Sequence, residues 1–173
     1  MASQTAMLLE IDGVLGDWSD GRWCLRPGAT AVLRRMRLAE VPVIGFGQGT
    51  CWTGDPSAIV DRQAALHTAL ATEGEALTAI YVAATAGDGW PKPGLVLRAA
   101  QEQSLDLSKS WLISTEPAAM LAAAQAGCLG GVLIGDAPAP KAVLGFTCNQ
   151  AVDLTDAPRV MVPPQGGCWH DHR

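Results

Sequence analysis

Short apolar stretches recur along this chain at nearly regular intervals, separated by segments of helical periodicity, and that alternation limits the fold more than any other feature. Ala6 to Ile11, Val41 to Phe46, Leu77 to Val82, Trp111 to Ser114 and Gly131 to Ile134 are bounded by turn residues, the mark of buried strands. Between them stand helix start signals. Pro27-Gly28 precedes Ala29 to Ala39, Asp55-Pro56 precedes Ser57 to Glu73, Pro93-Gly94 opens a helix ending near Gln103, and Thr115 with Pro117 precedes Ala118 to Ala126. Ile59, Leu66 and Leu70 share one face of the second helix, and Gly127 is placed to close the last as a C-cap. The alternation predicts an α/β fold: a Rossmann-like parallel sheet with right-handed crossovers and helices on both faces. Two weaker strand candidates, Ala142 to Thr147 and Arg159 to Val162, come before a stretch containing Pro-Pro and Gly-Gly. The expected organisation is a single domain over 1–162 without a large cap, then an irregular tail over 163–173.

With 173 residues, 49% of them hydrophobic, the chain can bury a sizeable core. Only 17% of residues are charged and the formal net charge is -5, which gives no electrostatic footprint for nucleic acid or an anionic membrane. Met1 to Met7 lacks the basic start and apolar run of a signal peptide, and no uninterrupted apolar run reaches the ~18 residues of a membrane span. A cytoplasmic protein without membrane contact is expected. Five cysteines, an odd number with no C-x-x-C pair, read as reduced thiols.

The order of several short stretches carries a resemblance. Leu9-Glu10-Ile11-Asp12-Gly13 follows the first strand, Arg26-Pro-Gly-Ala precedes the first helix, and Ala65-Leu-His67 lies within the second. Pro91-Lys-Pro-Gly94 precedes the next helix, and Ser110-Trp-Leu-Ile113 enters a later strand. From about Met7 to Ile134 the chain resembles haloacid dehalogenase-like phosphatases of the histidinol-phosphate and heptose-bisphosphate branch. That resemblance implies an Asp-x-Asp-Gly motif in which the first carboxylate attacks phosphorus and the second protonates the leaving group; here the pair is Glu10 and Asp12. The longer side chain of Glu displaces the nucleophile by more than about an ångström, and such misplacement can cost ~100-fold.

The remaining motifs depart further. Where the family places a phosphate-binding Thr or Ser this chain has Phe46, and where it places the motif Lys it has Trp90, with Lys92 two residues late. The acidic Mg²⁺ ligands of the fourth motif correspond to Thr115 and Ala119, in the run Ser114-Thr115-Glu116-Pro117-Ala118-Ala119. The run Ala83 to Gly89 contains no Cys or His for the branch's zinc loop. Glu10 and Asp12 thus read as a vestigial catalytic pair, with no metal site and no cofactor expected. Asp12 is left to hold the loop, while Gln48 stands beside the lost motif.

The tryptophans suggest a different use of the crevice. Trp18 and Trp23 follow the first strand, Trp52 the second and Trp90 the third, so an aromatic-lined surface is expected at the strand ends where open α/β sheets bind ligands. The alternative is a hairpin in which Trp18 and Trp23 pack locally. Gln48, Trp52, Trp90, Lys92 and Thr115 are the candidate binding residues. The tail Cys168-Trp-His170-Asp-His172 has zinc-ligand chemistry in no recognised spacing, His67 reads as a packed helix residue, and Cys51 is a nucleophile only in principle.

The function expected from these residues is that of a degenerate, catalytically inactive phosphatase fold, a pseudoenzyme acting as a protein-binding or accessory subunit. Small-molecule binding in the same crevice is a related reading. The alternative is a weak Mg²⁺-dependent phosphatase of a small sugar phosphate, with Glu10 as nucleophile and Asp12 as acid.

Overall fold

The computed structural model describes residues 3–49, 51–85, 87–141 and 145–161. The central element is β1 (Met7–Glu10), every residue of which is buried. It is flanked on one side by β4 (Val43–Gly47) and β5 (Ala79–Val82), and on the other by β6 (Trp111–Ser114), β7 (Gly130–Ile134) and β8 (Thr147–Ala151). The sheet order is β5-β4-β1-β6-β7-β8, with every pairing parallel. Between β1 and the first helix, β2 (Gly16–Ser19) and β3 (Arg22–Leu25) form an antiparallel hairpin that pairs Trp18 with Trp23.

Parallel strands need crossovers, and here the crossovers supply both layers. On one face α1 (Ala29–Leu38), α2 (Pro56–Thr72) and α5 (Ala157–Val160) cover Met7, Leu9 and Ile11 together with Trp52 and Trp111. On the other face α3 (Gly94–Gln103) and α4 (Pro117–Ala126) cover Leu8, Ile44, Phe46 and Leu112. Because successive side chains of β1 alternate between faces, Glu10 points toward the α3/α4 layer. Asp55 caps α2 by accepting the Ser57 N–H at 2.9 Å, and Gly127 closes α4 in the left-handed conformation, as its place in the sequence predicts. This is the α/β architecture expected, one domain with helices on both faces.

The C-terminal part differs from expectation in two places. The strand there is Thr147–Ala151, which meets the expected Ala142 to Thr147 only at Thr147, because an edge strand is half exposed and its Asn149 and Gln150 leave no apolar run to mark it; residues 142–144 lie outside the described residues. Arg159 lies in helix α5, not in a strand. Asp153 Oδ1 accepts the N–H groups of Thr155 and Asp156, and Pro158 suits a first helical turn, so the segment winds instead of extending. Asn149 Nδ2 then donates to the Val160 carbonyl at 2.6 Å, tying α5 to β8. Val162, the tail 163–173 and the Cys168 to His172 cluster lie outside the described residues. Among the described residues no helix is long and apolar enough to cross a membrane.

Candidate functional site

The parallel register sets the site. Glu10 lies opposite Phe46 on β4, and the pairing of Leu9 with Ile113 puts Ser114 in the next row on β6. Ser114 is fully buried and its hydroxyl donates to Glu10 Oε2, while accepting the Glu116 N–H at 2.9 Å. Glu10 itself is only 3% exposed. Burial, reinforced by the negative charges of Glu116 and Asp12 and only partly offset by Ser114, pushes its carboxyl up to about 8. At neutral pH Glu10 is therefore mostly protonated, a poor nucleophile.

Asp12 is held differently. Its Oδ2 accepts the indole N–H of Trp52, and its Oδ1 accepts the Cys51 thiol at 3.1 Å. Burial raises its pKa above the ordinary value, and these two donors oppose the rise. The Cys51 thiol is pushed up to about 12, first by burial and then by its bond to Asp12, so it is no activated nucleophile.

The tryptophans do not line an open crevice in the way their positions suggest. Trp52 is 0% exposed and stacks on Trp23 with ring centroids 5.6 Å apart. Trp23 in turn meets Trp18 edge-on at 5.5 Å and donates to the Arg62 carbonyl at 2.9 Å. Arg62 donates to the Cys51 carbonyl and lies over the Trp18 ring at 5.8 Å. The hairpin is thus fastened to α2 by an aromatic ladder that ends on Asp12. Room for Trp52 comes from Gly47, where a Cβ would sit 2.5 Å from the ring.

On the opposite face Phe46, fully buried, meets Trp90 edge-to-face with centroids 5.7 Å apart and 61° between planes. Trp90 is partly buried, and its backbone N–H donates to Gln48 Oε1 at 2.9 Å. Lys92 is exposed and forms no ion pair among the described residues. Thr115 touches the Asp12 loop, since a Cβ on Gly13 would lie 3.3 Å from its Oγ1, and Ala119 is buried in the α3/α4 layer. His67 is exposed on α2, not packed. The structure therefore gathers Glu10, Asp12, Phe46, Gln48, Trp90 and Thr115 at the C-terminal ends of the central strands. Ser114, which sequence reasoning passed over, was signalled only by being a polar residue at the end of a buried strand.

A protein of Mesorhizobium loti described as a HAD-like phosphatase superposes with a TM-score of 0.75 at 23% identity, over 90% of this chain and 83% of that one. The D,D-heptose 1,7-bisphosphate phosphatase of B. bronchiseptica, complexed with magnesium and phosphate, gives 0.69 at 22% identity over 89% and 96%. The fold is that of the haloacid dehalogenase-like phosphatases. A dehalogenase in an intermediate complex matches the same haloacid dehalogenase fold at 0.68 and 11% identity, over 93% of this chain and 98% of that one. No protein-family model matches the chain, and no curated sequence matches it.

The magnesium of the B. bronchiseptica enzyme does not suit the donors present here. Among the described residues no three His, Cys, Asp or Glu side chains converge. Within this haloacid dehalogenase fold Glu10 is committed to Ser114, Asp12 is committed to Trp52 and Cys51, and Thr115 and Ala119 bring no carboxylate. Mg²⁺ takes near-octahedral oxygen coordination, usually with carboxylates.

Proposed function

We propose that this chain is a haloacid dehalogenase-type fold that no longer hydrolyses phosphate esters and acts by binding, as an accessory or regulatory partner of another protein. The observation that carries the reading is the contact between Phe46 and Trp90, whose rings pack on each other at 5.7 Å. They occupy the two positions where the resemblance to active phosphatases calls for a hydroxyl and an ammonium. Phosphoryl transfer is catalysed almost entirely by positioning and charge stabilisation, and an aromatic pair supplies neither to a phosphate dianion.

The protonated Glu10 and the pinned Asp12 support the same conclusion, and they weigh against Glu10 as the nucleophile of a weak sugar-phosphate phosphatase. The partly buried Trp90 is the aromatic residue of this end of the sheet best placed to meet a partner, and such anchors dominate protein interfaces. The test is an assay of the purified chain with millimolar Mg²⁺ on heptose bisphosphate and histidinol phosphate, beside co-purification of partners with the native chain and with Trp90→Ala. No turnover, together with a partner lost on Trp90→Ala, is expected. Turnover at an ordinary enzymatic rate overturns the proposal.

A further inference from the structure

Two side-chain N–H groups in the crevice have nothing to donate to. Gln48 Nε2 and Trp90 Nε1 are both sealed from solvent without a hydrogen-bond partner. The Gln48 amide is not reversed, because its Oε1 already accepts the Trp90 backbone N–H at 2.9 Å, and turning it would set donor against donor. The Trp90 indole is held in place by Phe46. Buried donors left unpaired are rare in folded proteins because they forgo water without replacement. Here two occur on residues that touch, at the strand ends where open α/β sheets take their ligands.

Their chemistry selects the ligand. Two neutral donors ask for oxygens, and among the described residues of the same loop Lys92 is a cation in no ion pair, set against the carboxylate of Asp12. A phosphate dianion needs more positive charge than that. A monoanion with two oxygens matches the two donors and brings less charge than a phosphate dianion. We propose that Gln48 and Trp90 form a carboxylate-binding site, with their orphan N–H groups donating to the carboxylate and Lys92 supplying the countercharge. Gly89 lets the chain pass close to this pair, since a Cβ there would sit 2.6 Å from Gln48 Oε1. The site goes beyond the binding role above and does not depend on it.

The experiment follows the indole N–H resonances of the full chain by ¹⁵N NMR, with Trp90 assigned through Trp90→Phe. The chain is titrated with sodium acetate, with sodium chloride at equal ionic strength, and with inorganic phosphate. Acetate alone is expected to shift the Trp90 indole and the Gln48 amide saturably. The Trp23 and Trp52 indoles, already bonded, stay in place. Lys92→Ala, a change at an exposed position, weakens acetate binding about tenfold, as loss of a charge-assisted contact would. A peptide with a free C-terminal carboxylate is then compared with its amidated form. Tighter binding of the free form than of acetate puts the carboxylate on a partner chain, and equal binding puts it on a small acid; both support the site. No saturation with acetate, the same shift with chloride, or preference for phosphate overturns it, and leaves the partner proposal to its own co-purification test.

Discussion

Trp52 donates its indole N–H to the carboxylate of Asp12, so the residue that the family resemblance makes a general acid stands here at the end of a tryptophan ladder. Replacing Trp52 with Phe keeps most of the ring and removes the donor. A hydrogen bond to a charged group contributes roughly 1.5–3 kcal/mol, and loss of that order is expected. Trp52→Ala adds a cavity and should lose about 3–5 kcal/mol. Denaturant unfolding checks both, as a lower midpoint at unchanged slope. Equal stability of native protein and Trp52→Phe would show that the bond does not hold the loop.

Glu10 predicts a pH dependence whose sign is fixed. Its carboxyl titrates at about 8 when folded against 4.5 in the reference state. Between those values the native chain binds a proton that the unfolded chain has released, so stability falls as pH rises through that window. Below it the contribution is fully present. Asp12, also raised, acts in the same direction. In Glu10→Gln the Glu10 part of the slope should vanish, leaving the variant more stable relative to the native chain at pH 8 than at pH 4. Parallel stability curves for the two proteins would refute this.

Restoring the nucleophile alone should achieve nothing. Glu10→Asp leaves Phe46, Trp90, Thr115 and Ala119 in place, and members of one catalytic constellation are strongly non-additive. Phosphate release from heptose bisphosphate by Glu10→Asp is expected to stay at background, and clear activity in that single variant would mean that the aromatic pair does not block the site.

Millimolar Mg²⁺ should leave the melting temperature unchanged, since a ligand stabilises only in proportion to its binding of the native state. Thermal unfolding with and without the ion is the measurement. A Mg²⁺-dependent rise in the native chain, absent from Asp12→Asn, would establish a metal site that the donor arrangement does not suggest.

The parts of the fold that were legible in the sequence are those where local and tertiary signals agree. Trp111–Ser114 was read to the residue because a strand buried on both faces is apolar up to its last residue, and Asp55-Pro56 and Gly127 mark helix ends by their own chemistry. Thr147–Ala151 escaped because pairing to β7, not apolar character, makes it a strand. At the site, sequence order placed Glu10, Phe46, Trp90 and Thr115 together but could not give the direction of a side chain. Trp52 stands just after β4 and was expected in an open crevice, yet its ring turns back into the core. The single hint was Gly47, a residue without a side chain at the end of a buried strand.

Gly47 also constrains how such a chain can change over time. A Cβ there would lie 2.5 Å from the Trp52 ring, so glycine at 47 must be in place before tryptophan at 52 can be accommodated. Once Trp52 fills that space and holds Asp12, any step back toward a larger residue at 47 meets a clash, and removing the tryptophan first leaves a hole. The order of these two changes therefore acts as a ratchet, because each reversal taken singly passes through a poorly packed intermediate.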